Sequence, residues 1–136
     1  MTAPTHYIEF PGSAREALTF FGEVSGAVVD LHTFEEFHRT DGPADAVAHG
    51  YLKDGPVQLS GADVAGGERP VRCEGLMLSP LGTGFPATLK KWLSKLAEGG
   101  QVVDDLQIRP WVDSDGQVID RYGPHWLIWL QGSFRG

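Results

Sequence analysis

The sequence has little of what disulfide-bonded, membrane-spanning and nucleic-acid-binding proteins depend on. Its 136 residues include a single cysteine, Cys73, which excludes an internal disulfide and a multi-cysteine zinc cluster. No run of about 18 apolar residues is present that could span a membrane. Basic residues are scarce, with 11 Lys and Arg against 18 Asp and Glu. The net charge of −7 therefore argues against nucleic acid and against an anionic membrane surface as partners.

The N-terminal segment also lacks the marks of an export signal. Residues 1–6 contain neither a basic region nor an apolar core, so they do not predict a secretory signal. We therefore expect a cytoplasmic protein. The length fits one domain, residues 1–136, and a chain of this size hides roughly two thirds of its unfolded surface when it folds.

Motifs for several common chemistries are missing or incomplete. The five histidines form no H-E-x-x-H pair, and there is no nucleophile elbow. Gly82–Ala87 reads G-x-G-x-x-A, as in dinucleotide-binding proteins, but no further β-α units follow it, which favours a plain strand-to-helix turn. Asp113–Gly116 lacks the flanking acids of a calcium loop, because Trp111 and Tyr122 occupy those positions. This segment predicts a hairpin turn.

One pattern does occur twice. Gly26–Asp30 and Gly100–Asp104 both read G-x-V-V-D, and each follows an amphipathic helical stretch preceded by a short strand-like run. A fold built from two similar halves tends to enclose a cleft between them. The sequence therefore predicts an α+β fold of two βαβββ modules, about 1–65 and 71–136, within a single domain.

The predicted elements follow the same order in each half. In the first half, Ser13 and Glu16 form a capping box for a helix that ends at Gly26. The predicted strands of this half are 7–10, 27–38, 46–52 and 57–60, and residues 61–70 are interpreted as a mobile loop. In the second half, a helix begins near Pro86 with an apolar stripe of Leu89, Trp92, Leu93 and Leu96. The predicted strands there are 76–78, 101–109, 117–121 and 125–131.

Two features suggest a binding site. His49 lies within the apolar strand Val47–Leu52, where it either faces a cavity or serves as a hydrogen-bonded structural histidine. The last quarter of the chain is rich in aromatic residues, which suit ligand pockets and cores alike. Trp126 and Trp129 lie on opposite faces of their strand, so at most one of them can line a given cavity. We place Trp129 in the core.

Three stretches together resemble a known superfamily. They are Phe10–Ala17, Val47–Gly50 with Gln58–Asp63, and Arg109–Trp111 through Asp120–Trp126. They resemble the glyoxalase/bleomycin-resistance/extradiol-dioxygenase superfamily, also called vicinal oxygen chelate, and in particular its PhnB-like (demethylubiquinone methyltransferase-like) branch. The resemblance spans nearly the whole chain. It implies paired βαβββ modules that curl into an open barrel around a cleft, usually in a homodimer.

The resemblance also bears on a metal. Enzymes of the superfamily often hold a divalent metal with His and Glu from four equivalent strand positions. Those positions fall here near Tyr7 or Glu9, on His49, on Gly75 beside Glu74, and on Leu127. His49 is the one clear match in residue type, and a metal needs several convergent ligands. We therefore expect no cofactor, although the resemblance leaves a divalent metal open, and no S-adenosylmethionine site is recognisable.

The resulting hypothesis is a metal-free, small-molecule-binding member of the superfamily whose cleft takes an aromatic or polar ligand. Its predicted ligand-binding residues are His49, Trp111, Trp126, Glu9 and Tyr122. Trp126 is preferred to its neighbour Leu127 because an aromatic face suits a planar ligand. One alternative is a lyase- or isomerase-type enzyme that uses His49 as general base or metal ligand. A second alternative is a dimeric module with no ligand.

Overall fold

The chain folds into two compact units, each an α-helix packed on a β-sheet. The computed structural model describes residues 5–66, 68–80, 86–110 and 114–130. The units are Met1–Val71 and Arg72–Gly136. In the described part of the chain, no helix is long and apolar enough to cross a membrane. The predicted α+β class is confirmed.

The first unit contains four strands and one helix. The strands are β1 (Tyr7–Phe10), β2 (Val28–Thr33), β3 (Val47–Lys53) and β4 (Ser60–Asp63), and the helix is α1 (Ala14–Ser25). Their order across the sheet is β1-β4-β3-β2. β1 runs parallel to β4, whereas the other two pairs are antiparallel. The first and last strands of the unit are thus neighbours at one side of the sheet.

Helix α1 forms where apolar residues recur every three or four positions. Ala14, Ala17, Leu18 and Phe21 are buried against the sheet, as this spacing predicts. The helix ends at Gly26, whose left-handed backbone (φ 78°) lets its N–H donate to the carbonyl of Gly22.

The predicted capping box at the start of α1 is wrong. The Ser13 side chain makes no capping hydrogen bond. The N–H of Ala14 donates instead to Oδ1 of Asp63 at 2.9 Å, and Oδ2 of the same carboxylate accepts the N–H of Val47 at 2.9 Å. The Asp63 carboxylate, on the last residue of β4, accepts an otherwise unpaired N–H group of the first helical turn and complements the positive end of the helix dipole. The Ser13 hydroxyl is therefore not needed as a cap.

The side-chain alternation of β3 gives its sheet two different faces. A Cβ added to Gly50 would lie 2.7 Å from Cδ1 of Leu18, and one added to Gly22 would lie 3.7 Å from Cδ2 of Leu52. Gly50 and Leu52 therefore face α1. His49 and Tyr51 point to the opposite side of the sheet, because successive strand residues alternate.

The second unit repeats this arrangement with a weaker first strand. It contains α2 (Pro86–Ala97), β5 (Gln101–Ile108), β6 (Ser114–Ile119) and β7 (His125–Leu130). The sheet order is β5-β6-β7, and both pairs are antiparallel. The predicted strand 76–78 is reduced to one parallel bridge between Leu78 and Trp126. Leu78 thus adjoins β7 in the same way that β1 adjoins β4.

Three further predictions of local structure need correction. β2 ends at Thr33, whose hydroxyl accepts the N–H of Glu36 and turns the chain. Gly61–Asp63 belong to β4 and pair with β1, so they are not loop. Ser114–Gly116 are not a turn, because they lie in the central strand β6 and pair with β7. Gly82–Phe85 of the G-x-G-x-x-A segment lie outside the described residues.

Candidate functional site

The first unit presents a polar and aromatic surface on the side of its sheet that α1 does not cover. We call it the helix-free face. Its members by strand alternation and register are Tyr7 and Glu9 from β1, Asp30 and His32 from β2, and His49 and Tyr51 from β3. The contacts among these six side chains fall into two groups, one around His49 and one around Asp30.

His49 lies between two tyrosines. The Tyr7 hydroxyl is 3.1 Å from Nδ1 of His49, and the two rings stack with their centroids 5.7 Å apart and an interplanar angle of 18°. The Tyr51 ring lies 5.5 Å from the His49 ring at 39°. His49 is partly buried, whereas Tyr7 is 51% exposed. The result is an aromatic surface, open on the Tyr7 side, with an imidazole at its centre.

Asp30 anchors the second group. The Tyr51 hydroxyl donates to its Oδ2 at 2.9 Å, and Nζ of Lys53 lies 3.4 Å from the same oxygen. These interactions, the Tyr51 hydrogen bond first, hold the pKa of Asp30 below its ordinary value. The same bond raises the pKa of Tyr51, so its hydroxyl keeps its proton. His32 adds a contact of 3.5 Å between its Nε2 and Oδ1 of Asp30.

Glu9 lies close to a second acidic residue, Glu68. Loss of solvent raises its pKa above the ordinary value, and the neighbouring carboxyl of Glu68 adds repulsion and a shared hydrogen bond. Arg39 lies near this pair, since its charge interacts with Glu68 and with Tyr7. The guanidinium of Arg39 is held by Asp41 at 2.9 and 2.5 Å and lies 4.1 Å from the centroid of the Phe34 ring.

A cleft of about 320 Å³ opens at the β3–β4 end of this unit. Its lining includes Tyr51, Lys53 and Ser60. Ser60 pairs with Tyr51 on one side and with Tyr7 on the other, so the cleft and the His49 group share a boundary. Its volume is within the range of small-molecule sites.

The remaining predicted site residues are placed differently. Trp126 is only 5% exposed, and its indole N–H donates to Oδ2 of Asp120 at 2.5 Å. It shares a sheet face with buried Val118 and Ile128, which favours a role in the core of the second unit. Tyr122 lies in the β6–β7 turn, where its backbone N–H donates to Asp120. Trp111 lies outside the described residues.

The residues do not fit the superfamily's metal site. Gly75 and Leu127, at two of the four equivalent positions, have no side-chain group that could bind a metal. In the ranges that the structure describes, no three His, Cys, Asp or Glu side chains converge on a point that could hold a metal ion.

Neither Tyr51 nor Asp30 is predicted from the sequence as a member of this surface, and Tyr7 is named there only, with Glu9, as a position that the resemblance links to a metal ligand. Asp30 closes the first G-x-V-V-D repeat, and Tyr51 follows His49 by two positions, so alternation alone places both tyrosine and histidine on one face. Tyr7 could be joined to them only by knowing that β1 and β3 both flank β4.

The fold is similar to that of several proteins of known structure. No protein-family model and no curated protein matches the sequence. Protein PA1353 from Pseudomonas aeruginosa is similar in structure with a TM-score of 0.78, at 25% identity over 94% of this chain and 96% of that one. A Bacillus cereus protein named as a putative 3-demethylubiquinone-9 3-methyltransferase, PhnB protein, gives a TM-score of 0.73 at 20% identity over 96% of this chain and all of that one, 100%.

A third similar structure carries the superfamily's name. It is a member of the glyoxalase/bleomycin resistance protein/dioxygenase superfamily from Sphaerobacter thermophilus, with a TM-score of 0.54 at 17% identity over 96% of this chain and 99% of that one. The chain therefore has the fold of the glyoxalase/bleomycin resistance protein/dioxygenase superfamily, which the PhnB protein shares, as the sequence resemblance predicted.

Proposed function

We propose that the chain binds a small molecule on the helix-free face of its first unit, without a bound metal. The observation that carries this proposal is the aromatic group of Tyr7, His49 and Tyr51 beside a cleft of about 320 Å³. Aromatic walls with a few polar groups are typical of small-molecule sites. The proposal keeps His49 and Glu9 as ligand-contacting residues and adds Tyr7 and Tyr51. A cytoplasmic location remains part of it.

The surface favours a ligand with a planar ring and polar substituents. Two stacked rings, Tyr7 and His49, offer a flat apolar surface with the Tyr7 side open to solvent. Asp30 and Lys53 supply charges of both signs at the edge of the cleft. A purely aliphatic ligand could form no hydrogen bond with these groups.

The test is a fragment screen by calorimetry, with the hits measured on His49→Ala and on a control, His38→Asn. His38 is exposed and has a left-handed backbone (φ 56°) that asparagine tolerates. We expect His49→Ala to weaken a hit at least about tenfold, or 1.4 kcal/mol, because stacking and a polar contact are both lost. The control should bind as the wild type does.

The same preparations distinguish the alternatives. A hit that binds His49→Ala unchanged contradicts the proposed site, and the absence of any hit favours the module without ligand. Elemental analysis showing about one zinc, nickel, manganese or iron per chain, lost in His49→Ala, would support the metal-dependent enzyme instead.

We also propose a homodimer. β2 and β5 form edges of their sheets, and Val28, Val102 and Ile108 on these strands are exposed. Unpaired edges with apolar side chains are surfaces that a second copy can cover. We expect light scattering at micromolar concentration to give twice the chain mass of 14.8 kDa. A monomer mass under these conditions contradicts the proposal.

A further inference from the structure

The hydrogen bond between Tyr7 and His49 has a direction, and that direction decides what His49 offers to a ligand. The Tyr7 hydroxyl and Nδ1 of His49 are 3.1 Å apart. A hydroxyl can donate or accept, whereas a neutral imidazole has one donor nitrogen and one acceptor nitrogen. The bond made by one ring nitrogen therefore fixes whether the other carries the proton.

Two observations indicate that Tyr7 is the donor. No acceptor other than Nδ1 contacts the Tyr7 hydroxyl within the described ranges, so a bond to Nδ1 is the one way in which its proton can bond to another of these residues. Partial burial and the charge of Glu9 raise the pKa of Tyr7, against a smaller lowering by Arg39. The hydroxyl therefore keeps its proton at neutral pH, and an unprotonated imidazole nitrogen is a good acceptor for it.

We propose that Tyr7 donates to Nδ1 of His49, that neutral His49 carries its proton on Nε2, and that the ligand presents an oxygen acceptor such as a carbonyl or carboxylate to that Nε2–H. This inference rests on the proposed function and names the chemistry of its ligand. Nε2 of His49 has no hydrogen-bond partner among the residues that the structure describes. Tyr7 is a positioning residue here, because it acts on the ligand through His49.

This assignment separates the proposed function from the enzyme alternative. A general base and a metal ligand both need a free lone pair on the nitrogen that faces the reacting group. With Nδ1 occupied by Tyr7, the Nε2–H form of His49 has no such lone pair left. In this form His49 is a hydrogen-bond donor beside an aromatic surface, which suits recognition of a ligand oxygen.

The tautomer of His49 can be determined by NMR in the absence of any ligand. We would record ¹⁵N spectra of histidine-labelled protein in a buffer alkaline enough to keep histidines neutral, for the wild type, Tyr7→Phe and Tyr51→Phe. Tyr51→Phe is the matched control, since its hydroxyl bonds to Asp30 and not to His49, while its ring also lies beside His49. Tyr7 is half exposed, so loss of its hydroxyl should leave the fold intact.

We expect wild-type His49 to be protonated on Nε2, with the Nδ1 resonance shifted by the hydrogen bond. Tyr7→Phe should return that resonance toward the position of a free imidazole nitrogen, and Tyr51→Phe should leave it in place. Protonation on Nδ1 in the wild type, or an Nδ1 resonance unmoved by Tyr7→Phe, overturns the inference.

A pair of neutral probes tests the ligand chemistry. Acetophenone presents a carbonyl acceptor on a ring, and aniline presents an amine donor on the same ring. We expect acetophenone to shift the Nε2 resonance of His49 and to bind at least threefold more weakly to Tyr7→Phe, while aniline leaves the resonance unchanged. An equal effect of aniline, or none of acetophenone at millimolar concentration, overturns the inference. The proposed function is tested separately: if ligands found by calorimetry bind His49→Ala more weakly, His49 belongs to the binding site even when the proposed tautomer is wrong.

Discussion

Replacing Asp63 by alanine is expected to lower the free energy of unfolding by about 3–5 kcal/mol. Asp63 is 7% exposed, and its two carboxylate oxygens accept the N–H groups of Ala14 and Val47 at 2.9 Å each. Each hydrogen bond to a charged group contributes about 1.5–3 kcal/mol, and buried N–H groups left unpaired cost more than the bond itself returned. One side chain joins the start of α1 to the start of β3, so its loss weakens both.

Urea unfolding followed by circular dichroism measures this effect. Asp63→Asn should fall between the wild type and Asp63→Ala, because asparagine keeps one acceptor but turns an NH₂ toward the second N–H. Asp45→Ala is the control, since Asp45 is exposed, and it should change stability by less than about 0.5 kcal/mol. A loss below about 1 kcal/mol in Asp63→Ala would mean that water or Ser13 replaces the carboxylate.

The same residue shows what local sequence can and cannot predict about this fold. The spacing of Ala14, Ala17, Leu18 and Phe21 located α1, and Gly26 located its end. The cap was assigned to Ser13, because a capping box is a pattern of neighbours. The acceptor in the structure is Asp63, which lies 49 positions after Ala14 along the chain. Only the pairing of β4 beside β1 and β3 brings it to the helix, and no local pattern encodes that pairing.

Strand alternation accounts for part of the candidate site. His49 and Glu9 are two of the residues that the sequence and its resemblance predict as ligand-binding, and both lie on the helix-free face. The hydroxyl partner of His49 comes from β1, two strands away across β4. Which residue of β1 meets His49 depends on how β1 and β3 each pair with β4, and neither strand's own sequence shows that β4 lies between them.

The choice between Trp126 and Leu127 needed information from the turn before their strand. Alternation showed that only one of them can face a ligand. Trp126 is drawn into the core because Asp120, at the end of β6, accepts its indole N–H. No local pattern in the sequence predicts a buried carboxylate at position 120 as the partner of a tryptophan six residues later.

The buried carboxyl of Asp120 should make stability fall as pH rises, in contrast to an ordinary paired carboxylate. Burial raises its pKa from 3.8 to about 6, although the N–H groups of Trp126, Tyr122 and Gly123 act to lower it. The folded state therefore binds a proton more tightly than the unfolded state does. The stability that Asp120 contributes is fully present below pH 3.8 and is lost as pH rises through about 6.

Urea titration at pH values from 4 to 7 would measure the unfolding free energies of the wild type and of Asp120→Asn, and the difference between them tests this expectation. A pKa difference of this size corresponds to about 2–3 kcal/mol, so the wild type should lose that much relative to the variant over this range. Asparagine also places an NH₂ near the indole N–H, but that cost is independent of pH and cancels from the slope. A wild-type advantage over Asp120→Asn that is flat or grows between pH 4 and 7 would mean that the hydrogen bonds to Asp120 outweigh its burial.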